Sequence, residues 1–105
     1  MSGTVEGVTN EAGHLTLVAK TERIDAAAAR EFKTGALELL DGSPHSVSLD
    51  LAQVDFIDSS GIGALLSIQK KLAPSGIGLK LVRVKPQVQS VIELLRLHKV
   101  FEIEG

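Results

Sequence analysis

The hydroxyls and carboxylates best placed to do chemistry gather in one run, Asp55-Phe56-Ile57-Asp58-Ser59-Ser60-Gly61-Ile62-Gly63. The hydrophobic period changes here, from the alternation of His45 to Leu51 to a helical spacing from Ser59 onward, so both serines fall where a loop enters a helix. A helix start leaves backbone N–H groups unpaired and carries the positive end of the macrodipole. A phosphoryl group on a hydroxyl held there is stabilised by those amides. Phosphorylation adds about −1.5 to −2 charges at neutral pH, and beside Asp58, with Asp55 near, that charge would repel an acidic partner surface or disrupt a packed interface. The competing reading is a plain helix cap from Asp58 or Ser59, worth about 1 kcal/mol. On the residues alone the cap is the commoner case, and both readings stay open.

Other constellations are weaker. His14, His45 and His98 share no ligand spacing, so no metal site is expected. A Ser-His-Asp hydrolase built on Ser59 would lack the glycine of a nucleophile elbow, since Ile57 and Asp58 precede the serine. Gly61-Ile62-Gly63 has Leu66 where a dinucleotide fingerprint needs its third glycine, and no phosphate-loop lysine follows. No cofactor and no catalytic residue are therefore expected. Lys80, Arg83 and Lys85 read as the exposed edge and end of a strand, with partner contact as the lesser reading.

The elements that would position this junction follow from pattern. His14 to Lys20 alternates Leu15, Leu17 and Ala19 against Thr16 and Val18, after a turn at Ala12-Gly13 and a shorter strand around Thr4 to Val8, which together make a hairpin. Asp25 is placed to cap a helix opening with Ala26 to Ala29, whose inner face takes Ala28, Phe32, Ala36, Leu39 and Leu40 until Asp41-Gly42-Ser43-Pro44 ends it. Gly35 weakens that helix by about 1 kcal/mol against Ala and reads as a close-approach position. His45 to Leu51 sets Val47, Leu49 and Leu51 against Ser46, Ser48 and Asp50, and a connection runs from Gln53 to Asp58. The next helix buries Ile62, Leu65, Leu66, Gln69 and Leu72 and leaves Lys70 and Lys71 in water, up to Pro74-Ser75-Gly76. Ile77 to Val84 is a further strand; Pro86 opens a last helix with Val88, Val91, Ile92 and Leu95 inward, and Val100 to Ile103 adds an edge strand. Strands separated by helices imply parallel neighbours. The expected class is α/β, a mixed central sheet of four to five strands with about four helices.

At 105 residues the chain has the size of one domain, 1–105. Aromatics are 3%, so Leu, Ile, Val and Ala must build the core around Phe32, Phe56 and Phe101. There is no cysteine, no leader-like start and no apolar run of membrane-spanning length, which together predict a soluble cytoplasmic protein without direct membrane insertion. Residues 1–58 carry ten acids against four bases, and residues 59–99 carry seven bases against Glu93 alone. The basic half lacks stacking aromatics, so an acidic protein surface suits it better than nucleic acid.

The segment Phe56-Ile57-Asp58-Ser59-Ser60-Gly61-Ile62-Gly63, preceded by an alternating strand, closely resembles the phosphorylation motif of STAS-domain anti-sigma factor antagonists of bacteria. Arg23-Ile24-Asp25 resembles that family's loop before its first helix, and Lys85-Pro86 through Phe101 is similar to its terminal helix and closing residues. From about His14 to the end, the chain follows the family's element order. The resemblance implies that Ser59 accepts phosphate, that Asp58 and Asp25 are the two motif aspartates, and that Asp25, Asp58, Ser59, Ser60, Gly61 and Ile62 meet the partner. It implies a non-enzymatic partner switch. The unphosphorylated protein would bind an anti-sigma factor with serine kinase activity and release the sigma factor; phosphorylation of Ser59 would end that binding, and a PP2C-type phosphatase would restore it. The alternative is a STAS adaptor subunit of a lipid-transport ABC complex or a stress-sensing assembly. Glu22 stands where the family often has a glycine, which bears on the turn before Asp25.

Overall fold

Alternating apolar residues become strands wherever one side of the chain can be buried, and the computed structural model, which describes residues 3–105, follows that pattern closely. Its elements are β1 (Val5–Thr9), β2 (His14–Ala19), β3 (Arg23–Ile24), α1 (Ala29–Leu39), β4 (Ser46–Asp50), β5 (Phe56–Ile57), α2 (Ser59–Leu72), β6 (Leu79–Val82), α3 (Pro86–Leu94) and β7 (Glu102–Glu104). Five strands form one sheet in the order β1-β2-β4-β6-β7, with β1 antiparallel to β2 and the remaining neighbours parallel. The expected mixed α/β sheet is present at the upper end of its strand count, and among the described residues three α-helices stand where about four were expected.

The hairpin turn is made by side chain and glycine together. Asn10 Oδ1 accepts the amides of Ala12 and His14 at 2.9 and 3.0 Å, and Gly13 takes a φ of 82° where a Cβ would lie 2.7 Å from the His45 ring.

One face of the sheet is apolar and one is not. Leu15, Leu17, Ala19, Val47, Leu49, Leu79 and Leu81 are buried, as are Phe32 and Ala36 of α1 and Ile62, Leu65 and Ile68 of α2. Each large side chain so buried contributes about 1.5–3 kcal/mol. The opposite face carries His14, Thr16, Ser46, Ser48, Asp50 and Lys80, with His14 held between the hydroxyls of Ser46 (2.6 Å) and Ser48 (3.0 Å). Asp50, buried there, accepts Arg83 Nε–H at 2.9 Å and the Ala52 amide at 2.9 Å.

Several boundaries and faces differ from expectation for local reasons. α1 begins at Ala29, because Asp25 Oδ1 draws the amides of Ala27 and Ala28 into a turn first. That rotates its buried stripe onto Ala29, Phe32, Gly35 and Ala36, leaving Leu39 at the margin. Phe56 is not a core ring: in a two-residue strand only one side faces in, and Ile57 takes it while Phe56 stays 39% exposed. Leu66 yields its place on α2 to Ile68, being a full 100° step round from Leu65. Leu95 lies past the last helical residue and remains exposed. No helix of the described residues is long and apolar enough to cross a membrane.

Because β2, β4 and β6 are parallel, their carboxyl ends share one end of the sheet. The segments leaving them are Arg23–Asp25, Phe56–Ser59 and Arg83–Lys85, so topology alone brings three distant stretches of sequence to one place.

Candidate functional site

Two of those segments are zipped together by their backbones. β3 and β5 form a parallel ladder, Arg23 beside Phe56 and Ile24 beside Ile57. It is extended by the amides of Asp55 and Phe56, which donate to the Glu22 carbonyl at 2.7 and 3.2 Å, and by that of Asp58, which donates to the Ile24 carbonyl at 3.4 Å. Ile24 and Ile57 point inward and are buried. The apolar side chains thus anchor the ladder while the polar ones are left at the surface.

Asp58 then joins the segments a second time. It is the N-cap of α2, with extended backbone; Oδ1 accepts the Gly61 amide at 3.1 Å and Oδ2 accepts the Ala26 amide at 3.2 Å. One carboxylate therefore satisfies an orphan donor of the helix start and a donor of the opposite loop. Asp25 is organised from its own side: Oδ1 accepts the amides of Ala27 and Ala28, both at 3.2 Å, and Oδ2 accepts Arg23 Nε–H at 3.1 Å. The Arg23 hydrogen bond, helped by those amides and opposed by partial desolvation, holds the Asp25 carboxyl below the ordinary carboxylate range. The Arg23 guanidinium also lies 4.1 Å from the centroid of the Phe56 ring, which gives that exposed aromatic its partner.

Ser59 and Ser60 are the first two residues of α2, and both are exposed. Their hydroxyls have no hydrogen-bond partner among the described residues. Ser60 borders an open groove between α1 and α2, whereas Ser59 does not. Gly61 and Ile62 are buried. A Cβ on residue 61 would lie well inside contact distance of the Ile24 carbonyl oxygen and 2.6 Å from Ile57 Cγ1, so the glycine lets the helix start press against the ladder. Gly63 faces open space.

The structure thus brings Asp25, Asp58 and Ser59 to one surface, with Ser60 beside them and with Gly61 and Ile62 as its support. It also shows pairings that pattern reading did not give. Lys85, ahead of α3, forms an ion pair with Asp55 and ties the third segment to the site. The three bases read as the exposed edge and end of a strand do reach solvent, and each is also paired within the chain: Lys80 with Glu104 at 2.7 Å, Arg83 with Asp50, and Lys85 with Asp55. Glu22 is exposed, does not have a positive φ, and serves the ladder only through its carbonyl, so its turn needs no glycine.

A family model described as the STAS domain matches residues 8–105. BtrV of Bordetella bronchiseptica, to which an anti-sigma factor antagonist role is ascribed, is 28% identical over 80 residues, 76% of this chain and 69% of its own. The fold is that of an anti-sigma factor antagonist from Mycobacterium paratuberculosis, at 23% identity and a TM-score of 0.84 over 100% of this chain and 91% of that one. It is also that of the Bacillus cell fate determinant SpoIIAA in its phosphorylated form, at 15% identity and a TM-score of 0.69 over 96% and 91%.

Proposed function

The chain belongs to the STAS domain family, and from that footing we propose that it is an anti-sigma factor antagonist whose partner binding is switched off by phosphorylation of Ser59. The observation that carries this reading is Ser59 itself: an exposed, unengaged hydroxyl at the first residue of α2, with the neighbouring Asp58 carboxylate already occupied by two backbone amides. Asp58 is thereby a positioning group. The machinery of phosphoryl transfer belongs to the partner, an anti-sigma factor with serine kinase activity, and the chain is its substrate rather than an enzyme. In the unphosphorylated form the surface of Asp25, Asp58, Ser59 and Ser60 holds that partner, and the sigma factor is free. A phosphate on Ser59 places about two negative charges beside Asp58, which expels the partner until a PP2C-type phosphatase removes them. The setting of this cycle is the bacterial cytoplasm, and the single domain needs no cofactor for it.

The test is incubation with the cognate kinase and ATP followed by mass spectrometry of the peptide spanning residues 55–70. One phosphate on Ser59 is expected, absent in Ser59→Ala, and Ser59→Asp is expected to bind the kinase about tenfold or more weakly than Ser59→Ala by calorimetry. Unchanged modification of Ser59→Ala, or equal affinity of the two variants, would overturn the assignment.

A further inference from the structure

Arg30 and Lys33 stand one turn apart on α1 and look across an open groove of about 420 Å3 toward the first turns of α2, where Ser60 and Ser67 line the far side and Gly63 and Ala64 keep it shallow. No carboxylate lines this groove. Lys20, Arg23, Lys80, Arg83 and Lys85 each lie against a carboxylate, whereas Arg30 and Lys33, like Lys70, Lys71, Arg96 and Lys99, pair with none among the described residues; of these six, Arg30 and Lys33 are the two that line this groove. Asp25 and Asp58, on the loops leading into the groove, are already engaged by Arg23 and by backbone amides. What remains is two uncompensated cations beside the positive end of the α2 dipole, on walls too small to grip an apolar side chain. Charge must do the selecting there, and the short side chains allow another backbone to come close.

We propose that this groove seats an acidic segment of the protein partner, with two of its carboxylates meeting Arg30 and Lys33. The proposal rests on the partner-binding reading above and supplies the partner's chemistry. It also accounts for the direction of the switch. Ser59 adjoins Ser60 on the same helical turn, so a phosphate on Ser59 would stand beside the groove's mouth, oppose an acidic occupant and compete for the same two cations.

The test is a titration of the full 15N-labelled chain with hexaglutamate, read by amide chemical shifts, with hexalysine and inorganic phosphate as comparators. Shifts confined to residues 26–33 and 60–67, shrinking as salt is raised, are expected, and a natively folded Arg30→Glu/Lys33→Glu double variant should bind about tenfold more weakly. Lys70→Glu/Lys71→Glu, at the far end of α2, should bind as the parent does. Shifts elsewhere, or unchanged binding by the Arg30/Lys33 variant, would overturn the proposal. So would equal shifts from phosphate at the same concentration, which would mark an anion site rather than a peptide seat. No kinase is involved, so failure here leaves the Ser59 assignment standing, and failure of that assignment leaves the groove result readable.

Discussion

A methyl group at position 61 has nowhere to go, because the Ile24 carbonyl is fixed in the ladder and Ile57 is buried beneath it. Gly61→Ala must push the start of α2 away from β3, and overpacking of this kind costs about 1–3 kcal/mol. Gly63→Ala meets open space in a helix and should stabilise by up to about 1 kcal/mol. Urea unfolding of the two variants checks the pair; equal effects would mean that α2 does not sit where Ile24 holds it. Sequence shows both glycines in one motif but not which of them faces a carbonyl, since that contact comes from a strand more than thirty residues away. The helix start at Ser59 with its Asp58 cap, and the turn made by Asp25, were legible because their residue types and flanking pattern are local. Arg23 as the holder of Asp25, and Lys85 as that of Asp55, were not.

At the level of elements, the ladder of β3 and β5 explains most of what pattern reading missed. Strands of two residues carry no period, and theirs is secured by backbone groups whose partners no side-chain pattern announces. The same is true of the late start of α1, which depends on the turn that Asp25 makes. That turn should depend on pH. The Asp25 carboxyl is held below its ordinary value by Arg23, so its contribution is complete above the unfolded-state value near 3.8 and is lost as pH falls through the depressed folded one. Acid titration followed by NMR should show the Ala27 and Ala28 amides moving with a low midpoint, and Arg23→Ala should move that midpoint up. An unchanged midpoint would mean that Arg23 does not hold the carboxylate.

For the molecule as a whole, the architecture was legible because its sheet has one apolar face and its crossovers are helical, so strand alternation and helix stripes point to the same core. Of the faces that were misplaced, Leu66 lies one residue step round α2 from the buried stripe and Leu95 lies just past the last residue of α3. With the sheet buried on the helix side and the site confined to the carboxyl ends of β2, β4 and β6, a phosphate on Ser59 should act locally. Amide spectra of the two forms are expected to differ at residues 23–28 and 56–63 and to coincide along β2, β4 and β6; shifts running through the sheet would point to a global rearrangement instead. The ladder divides labour in a further way. Glu22 lends it a carbonyl and keeps its side chain in solvent, so the side chain at position 22 can vary without disturbing the scaffold. A substitution there changes what the surface presents and leaves the frame beneath it as it was.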